Sequence, residues 1–231
     1  KKFWKNVEIQ QSKNNTFQIL LDKNTLKTPI QNELFFSNYN IAYEASLEWN
    51  INSDKLNADD MVFFGIYCTA IDRISSKRKS YINEIIGFVD TDLICYRAEK
   101  PIELIQLQNT KWDPILSIVK AYTDLEIDVF KGIMPGKQNI RVHNKIKKLI
   151  NNFSDLEISI LYRMTNITGS IFISLCVLKK SFLEEGLFEL CFLDELWQAK
   201  QWGFEEEAST KRNKISKELK KIVTLVSFLK N

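Results

Sequence analysis

The side chains that perform chemistry are thinly spread through this chain. It holds one histidine, His143, and four cysteines, Cys68, Cys95, Cys176 and Cys191, with no Cys-x-x-Cys spacing. A zinc cage needs matched cysteines and histidines at short intervals, so no metal site is expected. The cysteines stand among apolar neighbours, as buried thiols of a reducing compartment do. His143 has Asn139, Ile146 and Lys147 as its helical neighbours and reads as a boundary residue. Gly132-Ile-Met-Pro-Gly136-Lys137 invites comparison with a phosphate-binding loop. It has three residues between its glycines instead of four, and Gln138 stands where a magnesium-binding hydroxyl belongs, so a plain loop is expected. Ser76-Lys-Arg-Lys79 and Ser117-Ile-Val-Lys120 fit Ser-x-x-Lys but lack the Ser-Asp-Asn and Lys-Thr-Gly strings that make it catalytic. Asp90-Thr-Asp92 lacks the glycine and distal glutamate of a calcium loop. Asp59 and Asp60 are adjacent, so on a helix they diverge; a helix start explains them. Asn-x-Ser/Thr triplets at Asn14, Asn152 and Asn166 are what an asparagine-rich chain yields by chance. No enzyme activity and no cofactor are expected.

One segment concentrates aromatic and acidic side chains: Asp194, Glu195, Trp197, Trp202 and Gly203, then Phe204 and the glutamates Glu205, Glu206 and Glu207. Gly203 is a natural helix stop, which puts the three glutamates at the positive end of the next helix. The same residues also suit a docking surface, because tryptophan is enriched at binding hot spots and exposed acids select basic partners. Both readings stand on sequence alone.

The elements that hold these residues are mostly helical. Seven glycines and four prolines in 231 residues are under half the usual share of about 12%, too few for a tight-turned all-β fold. With 45% hydrophobic residues the chain can bury an ordinary core. The net charge of +3 is too small to argue for nucleic acid. An α+β fold is expected, with a small β-rich domain over residues 1–57 carrying one helix, and a predominantly α-helical, orthogonal bundle over 58–231. Val7 and Ile9 alternate with polar residues, and Thr16 to Asp22 is a second strand ahead of a turn. Ser37 is placed to cap a helix running to about Asn50, with Ala42, Ala45 and Trp49 on one face. The run Met61 to Ile74 is helical and stops at Ser75 to Lys79, and a further helix carries Ile82, Ile85, Ile86 and Val89. Asp92 to Arg97 and Leu125 to Val129 look like strands on either side of a helix opened by Pro101, pairing with each other or with the first domain. Ser154 and Glu157 form a capping box before a long helix. Leu183 to Trp197 is apolar nearly all round and is expected at the centre of the bundle. Ile215, Leu219, Ile222, Val226 and Leu229 mark a final amphipathic helix. The longest uncharged run, Met164 to Leu178, has fifteen residues, short of the roughly 20 that span a bilayer, and reads as a buried helix. No signal peptide precedes Phe3, although the chain begins at Lys1 without methionine and a removed leader stays open.

Eight strings, in order over nearly the whole chain, resemble the assembly chaperones that handle the alpha subunit of the F-type ATP synthase, the mitochondrial factor and its bacterial relatives. They are Phe17-Gln-Ile-Leu-Leu-Asp22, Leu26-Lys-Thr-Pro29, Glu48-Trp49, Thr69-Ala-Ile-Asp-Arg73, Thr91-Asp-Leu-Ile-Cys-Tyr-Arg-Ala-Glu99, Trp112-Asp-Pro114, Thr168-Gly-Ser170 and Asp194-Glu-x-Trp-Gln-x-x-x-Trp-Gly203. Relatives carry glycine where this chain has Lys23, proline at Val62 and asparagine at Cys68. The resemblance implies a non-enzymatic protein that holds the free, aggregation-prone alpha subunit until it meets beta, with a β-rich first domain and a helical second one. It implies partner contact at Glu206, with Glu205 and Glu207 one alignment step away, and importance for Trp49, whose place beside Ala42 and Ala45 argues for support of the fold. It also implies the alpha subunit as partner, no nucleic acid and no membrane insertion, a monomer when unbound, and a place in the cytoplasm of a bacterium or the mitochondrial matrix of a eukaryote. A general holdase, or a phosphate- or nucleic-acid-binding module using Lys77-Arg-Lys79 and the lysines from 211 to 221, are the competing readings.

Overall fold

The computed structural model describes residues 2–12, 14–51, 55–132, 134–181, 186–203 and 206–229. Strands β1 (Val7–Gln11), β2 (Phe17–Leu21) and β3 (Asn24–Thr25) form an antiparallel sheet in that order. Period-two alternation turns Ile19 and Leu21 into the core. Asp22 and Lys23 turn β2 into β3 with φ of 47° and 71°. A two-residue hairpin turn needs this left-handed pair, and it favours glycine where Lys23 stands. Asp22 accepts hydrogen bonds from the Asn6 and Lys5 amides at 2.9 and 3.0 Å, and these hold its carboxyl below the usual range.

Helix α1 (Tyr39–Leu47) packs across β1 and β2. Its cap is Asn38, whose side chain accepts from the Ile41 amide at 3.0 Å; the expected Ser37 lies one residue too early to reach the first turn. Ala42 and Ala45 are fully buried beneath it. A 3₁₀ turn over Ala58–Asp60 leads into α2 (Val62–Thr69), which continues through a π-helical turn, Ala70–Ile74, into α3 (Ser75–Gly87). The polar run Ser75 to Lys79 therefore does not end the helix. It kinks it, with Lys77 at φ −126°, ψ 27°.

The two strand-like segments pair with each other, in parallel, as β4 (Tyr96–Arg97) and β5 (Phe130–Lys131), so the second lies just past the expected Leu125 to Val129. Between them runs the 22-residue α4 (Ile102–Thr123). Helix α5 (Ile140–Asn151) is followed by α6 (Asp155–Thr168), whose capping box is complete: the Glu157 amide donates to Ser154 Oγ at 3.2 Å and the Ser154 amide to Glu157 Oε2 at 2.7 Å. Gly169, at φ 67°, ends α6, and Ser170 caps α7 (Ile171–Leu178). The uncharged run Met164 to Leu178 is thus two buried helices around a turn.

All eight residues of α7 are buried, against α4, α6 and α10, which makes α7 the centre of the bundle. The expected centre, Leu183 to Trp197, is instead split. Residues 183–185 lie outside the described residues, and the remainder forms α8 (Leu187–Cys191) and the start of α9 (Leu193–Trp202). Phe192 breaks the helical path between them at φ −112°, ψ 25°, and Glu195 faces solvent, so this segment flanks the core. The last helix, α10 (Glu206–Phe228), docks through buried Leu219, Ile222, Leu225 and Val226. One apolar cluster runs from Trp4 in the first segment to Val226 in the last. The four cysteines are buried free thiols, and burial pushes Cys68 and Cys176 up to about 12.

Candidate functional site

Three buried polar joints gather residues that are distant in sequence. At the first, Glu48 leaves the end of α1 and accepts from the Phe63 and Phe64 amides, each at 3.0 Å, so it caps the start of α2 from outside. Lys221 of α10 reaches Glu48 Oε1 at 3.2 Å and also donates to the Asp60 carbonyl. Burial raises the Glu48 carboxyl, while the two amides and Lys221 oppose it.

At the second joint, Asp92 is fully buried ahead of the 3₁₀ turn Leu93–Cys95. It accepts from Ser170 Oγ at 2.7 Å, from the Phe172 amide at 3.0 Å and from the Ile94 amide at 3.1 Å. The Leu93 amide donates to the Gly169 carbonyl at 3.0 Å, so the turn before α7 is held from both sides. Burial pushes Asp92 up to about 7 against these donors.

At the third, Arg97 of β4 donates to the Ile94 carbonyl at 2.9 Å and to Asn109 Oδ1 at 3.2 Å, pairs with Asp113 at 3.0 Å, and lies 5.1 Å over the Trp112 ring. Trp112 is fully buried and donates its indole N–H to the Leu190 carbonyl at 2.9 Å. Gln108 accepts from the Ala98 amide and donates to Asp194 Oδ1, each at 2.8 Å, which ties α9 to α4 and the β4 end.

These joints locate two of the sequence-derived site residues inside the fold. Asp194 is half-buried in the first turn of α9, and burial raises its carboxyl against Gln108 and Arg97. Trp49 is 8% exposed, edge-on to Trp4 at 5.2 Å and to Phe64 at 5.0 Å, and its carbonyl accepts the Trp4 indole N–H at 3.1 Å. Trp197 is half-buried against the core. Two others are displayed: Glu195 is exposed and Trp202, at 87%, is among the barest large side chains. Gly203, at φ 101°, ends α9 directly after Trp202. Glu206 and Glu207 open α10, although their side chains, and Glu205 altogether, lie outside the described residues. Gly203 thus separates the exposed Trp202 from the start of α10.

Sequence reasoning missed Glu48, Asp92, Arg97, Gln108 and Trp112 as the residues that join the fold. The signal available was a polar side chain set inside an otherwise apolar string. It also missed an exposed apolar stripe on α1, where Tyr39, Tyr43 and Leu47 recur every four residues and the two tyrosine rings stack at 6.2 Å. The loop from Gly132 to Gln138 has a structural role: Gly136 lies where a Cβ would stand 2.2 Å from the Phe130 ring, and its amide donates to the Tyr96 hydroxyl at 3.2 Å. His143 pairs with Asp90 at 3.1 Å, and Asp90 also accepts from the Gln138 amide at 2.9 Å. Among the described residues, no group of three or more histidine, cysteine or acidic side chains could hold a metal, and no helix is long and apolar enough to cross a membrane.

Known proteins share this architecture. A candidate chaperone from Agrobacterium tumefaciens is 28% identical, superposes with a TM-score of 0.90, and is matched over 99% of this chain and 86% of its own. Atp12 from Paracoccus denitrificans, 22% identical, superposes with a TM-score of 0.83 over 97% of both chains, as does a point mutant of it. The sequence model of the ATP12 chaperone protein family matches residues 1–120, which takes in the sheet, the Glu48 and Asp92 side chains and most of α4. The chain belongs to the ATP12 chaperone protein family.

Proposed function

We propose that the protein is an assembly chaperone of the F-type ATP synthase that binds the unassembled alpha subunit and keeps it from aggregating until it pairs with beta. The family match over residues 1–120 carries this reading. A free alpha subunit would expose the apolar surfaces it later buries against beta, and surfaces of that size drive aggregation. A chaperone that covers them has to let go, so its contact is modest in area and partly electrostatic, with dissociation fast enough for beta to compete. Exposed Trp202, exposed Glu195 and the glutamates that open α10 fit such a contact, with Glu206 as its central charge. Asp194 and Trp197 hold α9 beneath that surface, while Trp49 supports the first part of the fold against Trp4 and Phe64.

The basic clusters favour this reading over nucleic acid, because several of their cations serve internal contacts. Arg78 pairs with Asp155 and donates to the Phe153 carbonyl, Lys221 pairs with Glu48, and Lys214 lies 4.0 Å from Asp59. The test is a Glu206→Lys variant mixed with freshly diluted alpha subunit on a sizing column. The wild-type protein is expected to elute with alpha and to release it when beta is added, while Glu206→Lys, with an unchanged thermal melt, does not capture alpha. Capture equal to wild type would remove Glu206 from the contact, and a lowered melt would return it to a supporting role.

A further inference from the structure

The outer face of α2 carries an exposed glycine, Gly65, in the middle of the helix, with nothing within 4 Å of where a Cβ would stand. Glycine in a helix interior costs stability relative to alanine, and no neighbour here demands it. The π-helical turn Ala70–Ile74 follows one residue after α2's Cys68-Thr69 end, and such turns are frequent at functional sites.

Two hollows meet over Gly65. One, about 260 Å³, is of mixed polarity and is bordered by Arg73, Tyr162, Arg163 and Glu218. The other, about 440 Å³, is mostly apolar and is bordered by Pro29, Ile30, Phe64 and Cys68. Gly65 and Arg73 line both, so α2 is a saddle between them that drops to backbone level at the glycine. A backbone can cross a helix closely only where the helix lacks a side chain, and an extended chain sends alternate side chains to opposite sides. The saddle therefore fits an extended polypeptide better than a compact ligand.

Charge selects what that polypeptide carries. In the smaller hollow Arg163 is paired with Glu218 at 2.5 Å, and Asp59 is approached by Lys214 at 4.0 Å. Asp72 is engaged by Asn32 Nδ2 at 2.9 Å. The exposed Arg73 guanidinium has no carboxylate within ion-pair distance among the described residues. A free guanidinium beside an apolar hollow is matched by a carboxylate and an apolar side chain close together.

We infer that an extended segment of the client chain crosses α2 over Gly65, seating an apolar side chain between Pro29 and Phe64 and placing an acidic side chain on Arg73. This inference rests on the client-binding reading above. It is tested by titrating labelled, freshly diluted alpha subunit with wild type, Gly65→Leu and Arg73→Glu, and by melting all three. Gly65→Leu fills open space on a helix, so it is expected to melt no lower than wild type yet to bind at least about tenfold more weakly, as loss of a hot spot does. Arg73→Glu, an exposed change, is expected to melt like wild type and to lose affinity similarly. Wild-type affinity in both variants would overturn the crossing while leaving the chaperone reading intact. Loss in Gly65→Leu with no change in Arg73→Glu would overturn the acidic side chain, and should Gly65→Leu not fold, Arg73→Glu decides. A wild-type protein that does not bind alpha refutes the client reading and this inference with it.

Discussion

Removing the Asp92 carboxylate should cost more stability than any surface change in the molecule. Asp92 is fully buried and accepts from Ser170 Oγ, the Phe172 amide and the Ile94 amide at 2.7, 3.0 and 3.1 Å. Asp92→Ala leaves those three donors buried without an acceptor, at about 1–3 kcal/mol each. Relief from desolvating the carboxyl group offsets part of that, so a net loss of about 3–5 kcal/mol is expected. Asp92→Asn keeps the shape and one acceptor and should lose about 1–2 kcal/mol. The carboxyl is pushed by burial from 3.8 up to about 7. Because the native value lies above the unfolded one, the native state holds the extra proton between them. That stability is complete below the unfolded value and is lost as pH rises through about 7. At about 1.4 kcal/mol per pH unit, the gap bounds the effect at roughly 4 kcal/mol. Urea unfolding followed by far-ultraviolet circular dichroism at pH 5 and pH 8 measures both: wild type should be less stable at pH 8, and Asp92→Asn should flatten that difference. An Asp92→Ala variant within about 1 kcal/mol of wild type, or an Asn variant that keeps the wild-type pH slope, would refute the reasoning.

Other perturbations separate fold from surface. Lys23→Gly relieves a left-handed backbone at φ 71° and should raise stability by about 0.5–1 kcal/mol in a urea melt. Trp49→Ala opens a cavity beside Trp4 and Phe64 and should cost about 3–5 kcal/mol. Trp202→Ala, at an 87% exposed site, should stay within about 0.5 kcal/mol while lowering affinity for the alpha subunit in the same sizing experiment. Glu48→Gln removes the charge that Lys221 faces and one of two amide acceptors, so a loss of about 2 kcal/mol is expected from thermal melts.

Local signals were legible in the sequence, and relations between distant elements were not. The alternation of Val7 and Ile9, the Ser154 box and the Leu219 to Val226 stripe each rest on neighbours within one or two turns, and each forms as read. Ser37 and Asn38 are both good caps, and only the backbone path decides which side chain reaches the first turn. The polarity of Ser75 to Lys79 suggests a helix stop, yet α3 continues through a kink with most of that run facing solvent. The apolar content of Leu183 to Trp197 alone does not distinguish a helix surrounded on all sides, as α7 is, from one lying along the flank. At the site, Gly203 as a helix stop was legible. The bond from Asp92 to Ser170 was not, because it joins residues 78 positions apart. The strings that carry the family resemblance hold the Glu48, Asp92 and Arg97 joints.

The central claim is a dedicated chaperone for the alpha subunit, and light scattering tests it most directly. Denatured alpha subunit and an unrelated aggregating protein are each diluted into buffer with and without the purified protein. The account predicts that scattering is suppressed for alpha at near-stoichiometric amounts and left unchanged for the unrelated protein. Equal suppression of both would make the protein a general holdase, and suppression of neither would contradict the account.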